Sequence, residues 1–375
     1  MKNLTLAILV LSFFAACTTN QPKPETLKDA LDGLFYVGAA LNTFQVEGVD
    51  VKADSLVKKQ FNSIVAENCM KSMNIQPQKG VFTFDDADKF VAYGEQNGMH
   101  IIGHTLIWHS QAPRWLFVDD EGKDVTPEEL AARMREHIFT LVGRYKGRVH
   151  GWDVVNEAIN DDGSFRNSKF YQILGEDYIR LAFEYAHEAD PEAELYYNDY
   201  SMNKPGKRSG VVKMVKSLQQ QGIKIDGIGM QGHYLLAEPS VEEIEESIVA
   251  FAGLGVKVMF TELDITVLPW PDMGVSAEVS LSHEFQAEFN PYADGMTLEA
   301  DEALNQRFVD IFAMFIKHSD KISRVTLWGV ADQHSWRNNW PIRGRTDYPL
   351  LFDRNYENKP AVDKIIEAAI AHKAL

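Results

Sequence analysis

Cysteine is nearly absent: Cys17 and Cys69 are the only two in 375 residues. That excludes a disulfide framework. Positive charge is scarce too, since 37 Lys and Arg against 54 Asp and Glu leave a formal net charge of −17. A chain so acidic repels phosphate backbones, which argues against nucleic acid as a partner and for a neutral or weakly charged ligand. Long apolar runs are missing apart from Leu4 to Ala16, which is too short to span a bilayer at roughly 20 residues per span. No Gly-x-Ser-x-Gly elbow occurs, which removes one class of serine hydrolase. His104 and His109 stand five apart with no HExxH pattern, so no metal is expected, and no cofactor either. The glycines at 227, 229 and 232 match a dinucleotide spacing, but no helix signal opens at Gly232.

The N-terminus reads as an export signal. Lys2 precedes the apolar run, and the run ends in small residues. Phe14-Ala15-Ala16-Cys17 resembles a bacterial lipoprotein box. The expectation is a signal peptide over 1–16, a lipidated Cys17 as first mature residue, a tether over 17–26 and one folded domain over 27–375. Membrane contact would run only through that anchor, in the periplasm or on the outer membrane. The residues after Cys17 carry no acidic run, which favours the periplasmic face. The alternative is ordinary cleavage that leaves Cys17 free. A monomer is expected.

What is present is a 45% hydrophobic chain with one recurring pattern: a short apolar run, a turn, an amphipathic stretch. The pattern predicts strands at Phe35–Leu41, Phe61–Ala66, Ile101–Ile107, Val149–Val155, Glu194–Tyr197, Gly227–Met230, Val256–Thr261 and Arg324–Trp328. Several are continuous apolar runs, as parallel strands buried on both faces require. Helices are predicted at Pro127–Tyr145, Tyr171–Ala189, Lys207–Gln220, Val241–Gly253, Asp301–Lys317 and Ala361–Ala371. Thr126 and Glu129 read as a capping box before the first of these. Strands alternating with helices predict an α/β fold, a (β/α)8 TIM barrel, over an open doubly wound sheet.

The barrel is preferred because polar residues gather at the strand ends, which in a barrel share one mouth. Glu67, Asn68 and Lys71 follow the second strand, and His104, Trp108 and Gln111 the third. Asn156 and Glu157 end the fourth; Asn198, Asp199 and Tyr200 the fifth; Gln231 and His233 the sixth. Glu262 ends the seventh with Asp264 nearby, and Trp328 and Trp336 belong to the eighth. Aromatic faces with forked polar groups suit a sugar-binding cleft. Glu157 and Glu262 each follow an apolar strand directly, and glycoside cleavage needs such a pair. Strands four and seven are expected on opposite sides of the mouth. His233 could hydrogen-bond Glu262 and keep it ionised, and Asn156 could bond a sugar 2-hydroxyl.

Eight ordered motifs resemble the family 10 glycoside hydrolases, the endo-β-1,4-xylanases, over residues 27–373. They are Phe61-Asn62 with Glu67-Asn68 and Lys71, the run His104 to Gln111, Trp152 to Glu157, Tyr197 to Tyr200, and Gly229 to His233. Thr261 to Asp264, Trp328-Gly329 with Asp332, Ser335 and Trp336, and Pro349 to Asp353 complete the set. The resemblance implies Glu157 as acid/base, Glu262 as nucleophile, and xylan and xylo-oligosaccharides as substrate. It implies that Glu67, Asn68 and Lys71 bind the sugar two sites toward the non-reducing end. His104, Trp108 and Gln111 would line sites around the cleaved sugar, with Trp328 and Trp336 packed on it. Trp152 sits mid-strand and reads as core. β-Glucan remains an alternative substrate, and a non-catalytic sugar-binding protein an alternative class.

A long connection from Leu263 to Ala300 departs from the pattern. Trp270, Phe285, Phe289 and Tyr292 are read as that loop's own small core, with an extra sugar site as the alternative. Arg343 or Arg345 is a candidate contact for an acidic xylan branch.

Overall fold

The computed structural model describes residues 24–270 and 287–375. The proposed signal segment, Cys17 and most of the tether lie outside the described residues, as does Phe285 with the centre of the long loop.

Nine strands are present among the described residues: β1 (Tyr36–Leu41), β2 (Ser63–Ala66), β3 (His100–Trp108), β4 (Gly151–Asn156), β5 (Glu194–Asp199), β6 (Gly227–Met230), β7 (His233–Leu235), β8 (Lys257–Thr266) and β9 (Ile322–Leu327). The order β6-β5-β4-β3-β2-β1-β9-β8 closes on itself through a β6–β8 pairing, and every ladder is parallel. The eight described helices of ten or more residues cover the outside: α1 (Val51–Gln60), α2 (Asp85–Gln96), α3 (Pro127–Arg144), α4 (Asp177–Ala189), α5 (Pro205–Gln220), α6 (Val241–Ala252), α7 (Leu298–Lys317) and α8 (Pro360–Lys373). This is the expected TIM barrel. None of the described helices is long and apolar enough to cross a membrane.

The strands bury both faces, which explains their continuous apolar runs. Inside the ring, Ala40, Val65, Ile102, Tyr196 and Met259 pack together under Trp328. Outside it, the larger core lies between strands and helices. Trp152 belongs to that outer layer and is fully buried, so its reading as core holds. Gly103 makes room for it: a Cβ there would stand 2.1 Å from the indole. A buried indole removes about 200 Å² from water, worth several kcal/mol at about 25 cal/mol per Å².

Local details differ from the sequence reading in three places. The helix expected over Tyr171–Ala189 is two pieces, Lys169–Leu174 and α4, because Gly175 takes φ +62 and stops the first. The Thr126 cap is half of the expected box. Thr126 Oγ1 accepts from Glu129 N at 3.2 Å, but the Glu129 carboxylate turns to the buried Arg133. Full capping boxes form instead at Asn42/Gln45 and Ser240/Glu243. Last, β7 is an extra three-residue strand that lies parallel to the end of β8, with His233 paired to Asp264.

Candidate active site

The strand ends open into one cleft of about 1240 Å³. Its lining holds Glu67, Asn68, Lys71, His104, Trp108 and Gln111 from the β2 and β3 side. Asn156, Glu157, Gln231, His233, Glu262, Trp328 and Trp336 complete it around the centre. Asn198 and Asp264 are fully buried beneath the cleft, so they reach its groups from below. Glu157 directly follows β4 and Glu262 lies in β8, strands three steps apart around the ring rather than opposite.

Glu157 follows β4 with a backbone φ of +60. Its N–H donates to Asn198 O at 2.9 Å, tying the turn to β5. Trp108 Nε1 donates to its Oε2 at 2.9 Å, and Gln231 Nε2 to its Oε1 at 3.1 Å. The side chain is buried, and burial followed by the charge of Asp199 pushes the carboxyl above its ordinary range.

Glu262 sits within β8. Asn198 Nδ2 donates to its Oε1 at 2.8 Å, and His233 Nε2 lies 3.1 Å from its Oε2. Burial alone would raise this carboxyl. The His233 hydrogen bond, the charges of His104 and His233, and the Asn198 amide outweigh it, and the net direction is down. The two glutamates therefore depart from their ordinary range in opposite senses within one cleft. They are linked through amides: Gln231 Nε2 lies 3.3 Å from Asn156 Oδ1, and Asn198 Nδ2 2.9 Å from the same Asn156 amide.

His233 is itself held. Its Nδ1 lies 3.0 Å from Asp264 Oδ1, an ion-pair contact set by the β7–β8 register. Burial opposes its protonation, yet Asp264 and Glu262 raise it to about 9. Asp264 Oδ1 accepts from Arg337 Nε at 2.7 Å, and its Oδ2 from Trp336 Nε1 at 2.8 Å. Asp264, read from the sequence as an orienting residue, thus touches His233, Arg337 and Trp336. Arg337 carried no sequence signal of its own.

At one end of the cleft Lys71 Nζ donates to Asn68 Oδ1 at 2.9 Å and stands 5.1 Å from the centre of a Trp108 ring. Asn68 Nδ2 reaches Glu67 Oε1 at 3.2 Å. His104 Nδ1 is 2.9 Å from Asp153 Oδ2 and meets Trp328 edge-on at 5.3 Å between ring centres. Opposite, Trp336 stacks on Trp340 at 4.9 Å, and Trp270 meets Trp340 edge-on at 5.5 Å. Trp270 lines the cleft, so it is not only part of its loop's own core. Arg345 is buried against the carbonyls of Pro269, Arg337 and Trp340 and is no candidate for a substrate charge; Arg343 is exposed in the cleft. The far end is lined by Tyr200, already read at the end of the fifth strand, and by Asp161, Asn203, Lys204 and Glu238, which sequence reasoning did not single out. Among the described residues no His/Cys/Asp/Glu group has metal-holding geometry.

The profile of glycosyl hydrolase family 10 matches residues 26–368. An endo-1,4-beta-xylanase A from Xylanibacter ruminicola is 50% identical over 359 residues, spanning 96% of this chain and 96% of that protein. An endo-1,4-beta-xylanase from Geobacillus stearothermophilus is 41% identical over 350 residues, spanning 91% and 98%. The solved structure of a GH10 endoxylanase retrieved from sugarcane soil metagenome aligns with a TM-score of 0.87 at 47% identity, covering 91% of this chain and 99% of that one.

Proposed function

Because the chain belongs to glycosyl hydrolase family 10, whose matched relatives are endo-1,4-β-xylanases, we propose that it cleaves internal β-1,4-xylosidic bonds of xylan with retention of configuration. One observation carries the mechanism: of two buried glutamates in one cleft, Glu157 is pushed up and Glu262 down. That split is what an acid and a nucleophile at one pH require.

In the first step a Glu262 oxygen bonds to the anomeric carbon as the bond to the leaving sugar oxygen breaks. Glu157 delivers its proton to that oxygen, and a glycosyl ester remains on Glu262. Esterification removes the Glu262 charge, one of the influences that raise Glu157. Glu157, now a carboxylate held by Trp108 and Gln231, takes a proton from water. The water oxygen bonds to the anomeric carbon and the ester breaks. Glu67, Asn68 and Lys71 bind a distal sugar, Trp328 and Trp336 pack on the sugar being transferred, and Asn156 faces its 2-hydroxyl.

Export under the 1–16 segment, with lipid attachment at Cys17, is part of the same proposal. The catalytic reading is tested by the Glu262→Ala variant: xylan cleavage falls to background, and azide restores turnover of an aryl xyloside as a product of inverted configuration, read by NMR. Inverted product from the unaltered enzyme overturns the retaining assignment.

A further inference from the structure

Beneath Glu157 lies a buried ion pair that the two-glutamate chemistry does not itself use. Lys207 of α5 and Asp199 at the end of β5 stand 2.7 Å apart, and neither side chain is exposed. Such a pair is weak grounds for stability, since desolvation offsets its attraction. Its connections suggest another use. Asp199 Oδ2 accepts from the Tyr197 hydroxyl at 2.5 Å. The same hydroxyl oxygen accepts the N–H groups of Ala158 at 3.0 Å and Ile159 at 3.2 Å. Its one donor and two acceptor positions are thereby filled.

Ala158 and Ile159 directly follow Glu157, whose φ of +60 is a conformation that persists only where the surroundings over-determine it. Arg166 holds the other side of the turn, with Nε donating to Glu157 O at 2.8 Å and Nη2 to the Tyr200 hydroxyl at 2.7 Å. Lys207 Nζ lies 3.6 Å from the centre of the Tyr200 ring, which lines the cleft. One buried pair thus reaches both the turn that carries Glu157 and an aromatic wall beside it. The charge of Asp199 also favours the protonated form of Glu157.

We propose that Tyr197, Asp199 and Lys207 are positioning residues for proton donation: they fix the 157–159 turn so that the Glu157 carboxyl faces the leaving oxygen. This rests on the acid/base assignment of Glu157. It predicts damage confined to reactions that need the proton.

The test measures kcat/KM for aryl β-xylobiosides whose leaving groups run from phenol to dinitrophenol, the last needing no protonation. Tyr197→Phe removes the hydroxyl with little change of volume. A double variant, Asp199→Asn with Lys207→Met, removes both charges and strands neither. Thermal unfolding checks that each is folded. Both are expected to lose about tenfold or more on the phenyl substrate and less than about threefold on the dinitrophenyl one, a part of the roughly 10²–10⁴-fold that acid catalysis supplies. A loss equal across leaving groups in the folded variants, or no loss, overturns the proposal. Glu157→Ala separates the two levels. If it lacks the leaving-group dependence, the acid/base assignment fails; if it shows it and the positioning variants do not, only the present proposal fails.

Discussion

The imidazole of His233 bridges two carboxylates: Nε2 is 3.1 Å from Glu262 Oε2 and Nδ1 is 3.0 Å from Asp264 Oδ1. Activity by the proposed route requires Glu262 ionised and Glu157 protonated, so it falls below the pKa of the first and above that of the second. In His233→Asn the hydrogen bond and the positive charge that lower Glu262 are gone. The Glu262 pKa then rises, and the acid limb of kcat/KM against pH moves to higher pH. Misorientation lowers kcat by about 10²-fold. An acid limb that stays in place or moves down sinks this account of Glu262.

The same histidine links stability to pH. Its folded value of about 9 lies above the ordinary 6.5. Its contribution is therefore fully present below pH 6.5 and is lost as pH rises through about 9. The Tm gap between the unaltered protein and His233→Asn should narrow from pH 6 to pH 10. A gap that is constant or widens contradicts the linkage.

Arg337 supports this assembly from below. It and Asp264 are almost fully buried, and Nε to Oδ1 is 2.7 Å. Arg337→Met takes away one of the two cations on the buried Asp264 and leaves His233 and the Trp336 N–H, for an expected loss of about 1.5–3 kcal/mol. Denaturant unfolding measures it. A loss under about 1 kcal/mol would show that Asp264 finds another partner or a proton.

Much of this was legible in the sequence, for a physical reason. Strands such as Ile101–Ile107 are buried on both faces, so they appear as apolar runs, and polar groups at their ends then stand out. Glu157 and Glu262 were found that way, and the cleft lining contains both with Glu67, Lys71, Trp108 and Trp336. Short or paired features left weaker marks. β7 has three residues, too few for a period, yet its register places His233 beside Asp264. Arg337 is a surface-type residue sunk in an ion pair, and no local pattern announces such burial. Tyr197 and Lys207 act through contacts across β4, β5 and α5 that exist only after folding.

Lipid attachment at Cys17 predicts that cells making the full chain incorporate labelled fatty acid into it, and that Cys17→Ala abolishes labelling and releases activity from the membrane fraction. Phe14-Ala15-Ala16-Cys17 is the motif behind this expectation. Membrane-free activity from the unaltered chain, with no label, returns the N-terminus to an ordinary cleaved signal. Cys69 does not compete for the label: burial pushes its thiol up to about 12, which keeps it un-ionised and unreactive.

Trp270 tests how far the cleft extends. It lies at the start of the long loop after β8, half-buried, with its ring edge-on to Trp340. Trp340 in turn stacks on Trp336, and Trp336 stands 5.0 Å from the His233 ring, so three indoles run in sequence along the cleft from His233 outward. A wall of this kind offers faces on which further sugars can pack. In Trp270→Ala, KM for polymeric xylan should rise about two- to tenfold, with kcat little changed, because the indole touches bound chain and not reacting atoms. Short aryl xylosides that do not reach the outer wall should keep their KM. Equal effects on long and short substrates would mean that Trp270 instead holds Trp340 and Trp336 in place, and its loss would then appear in kcat.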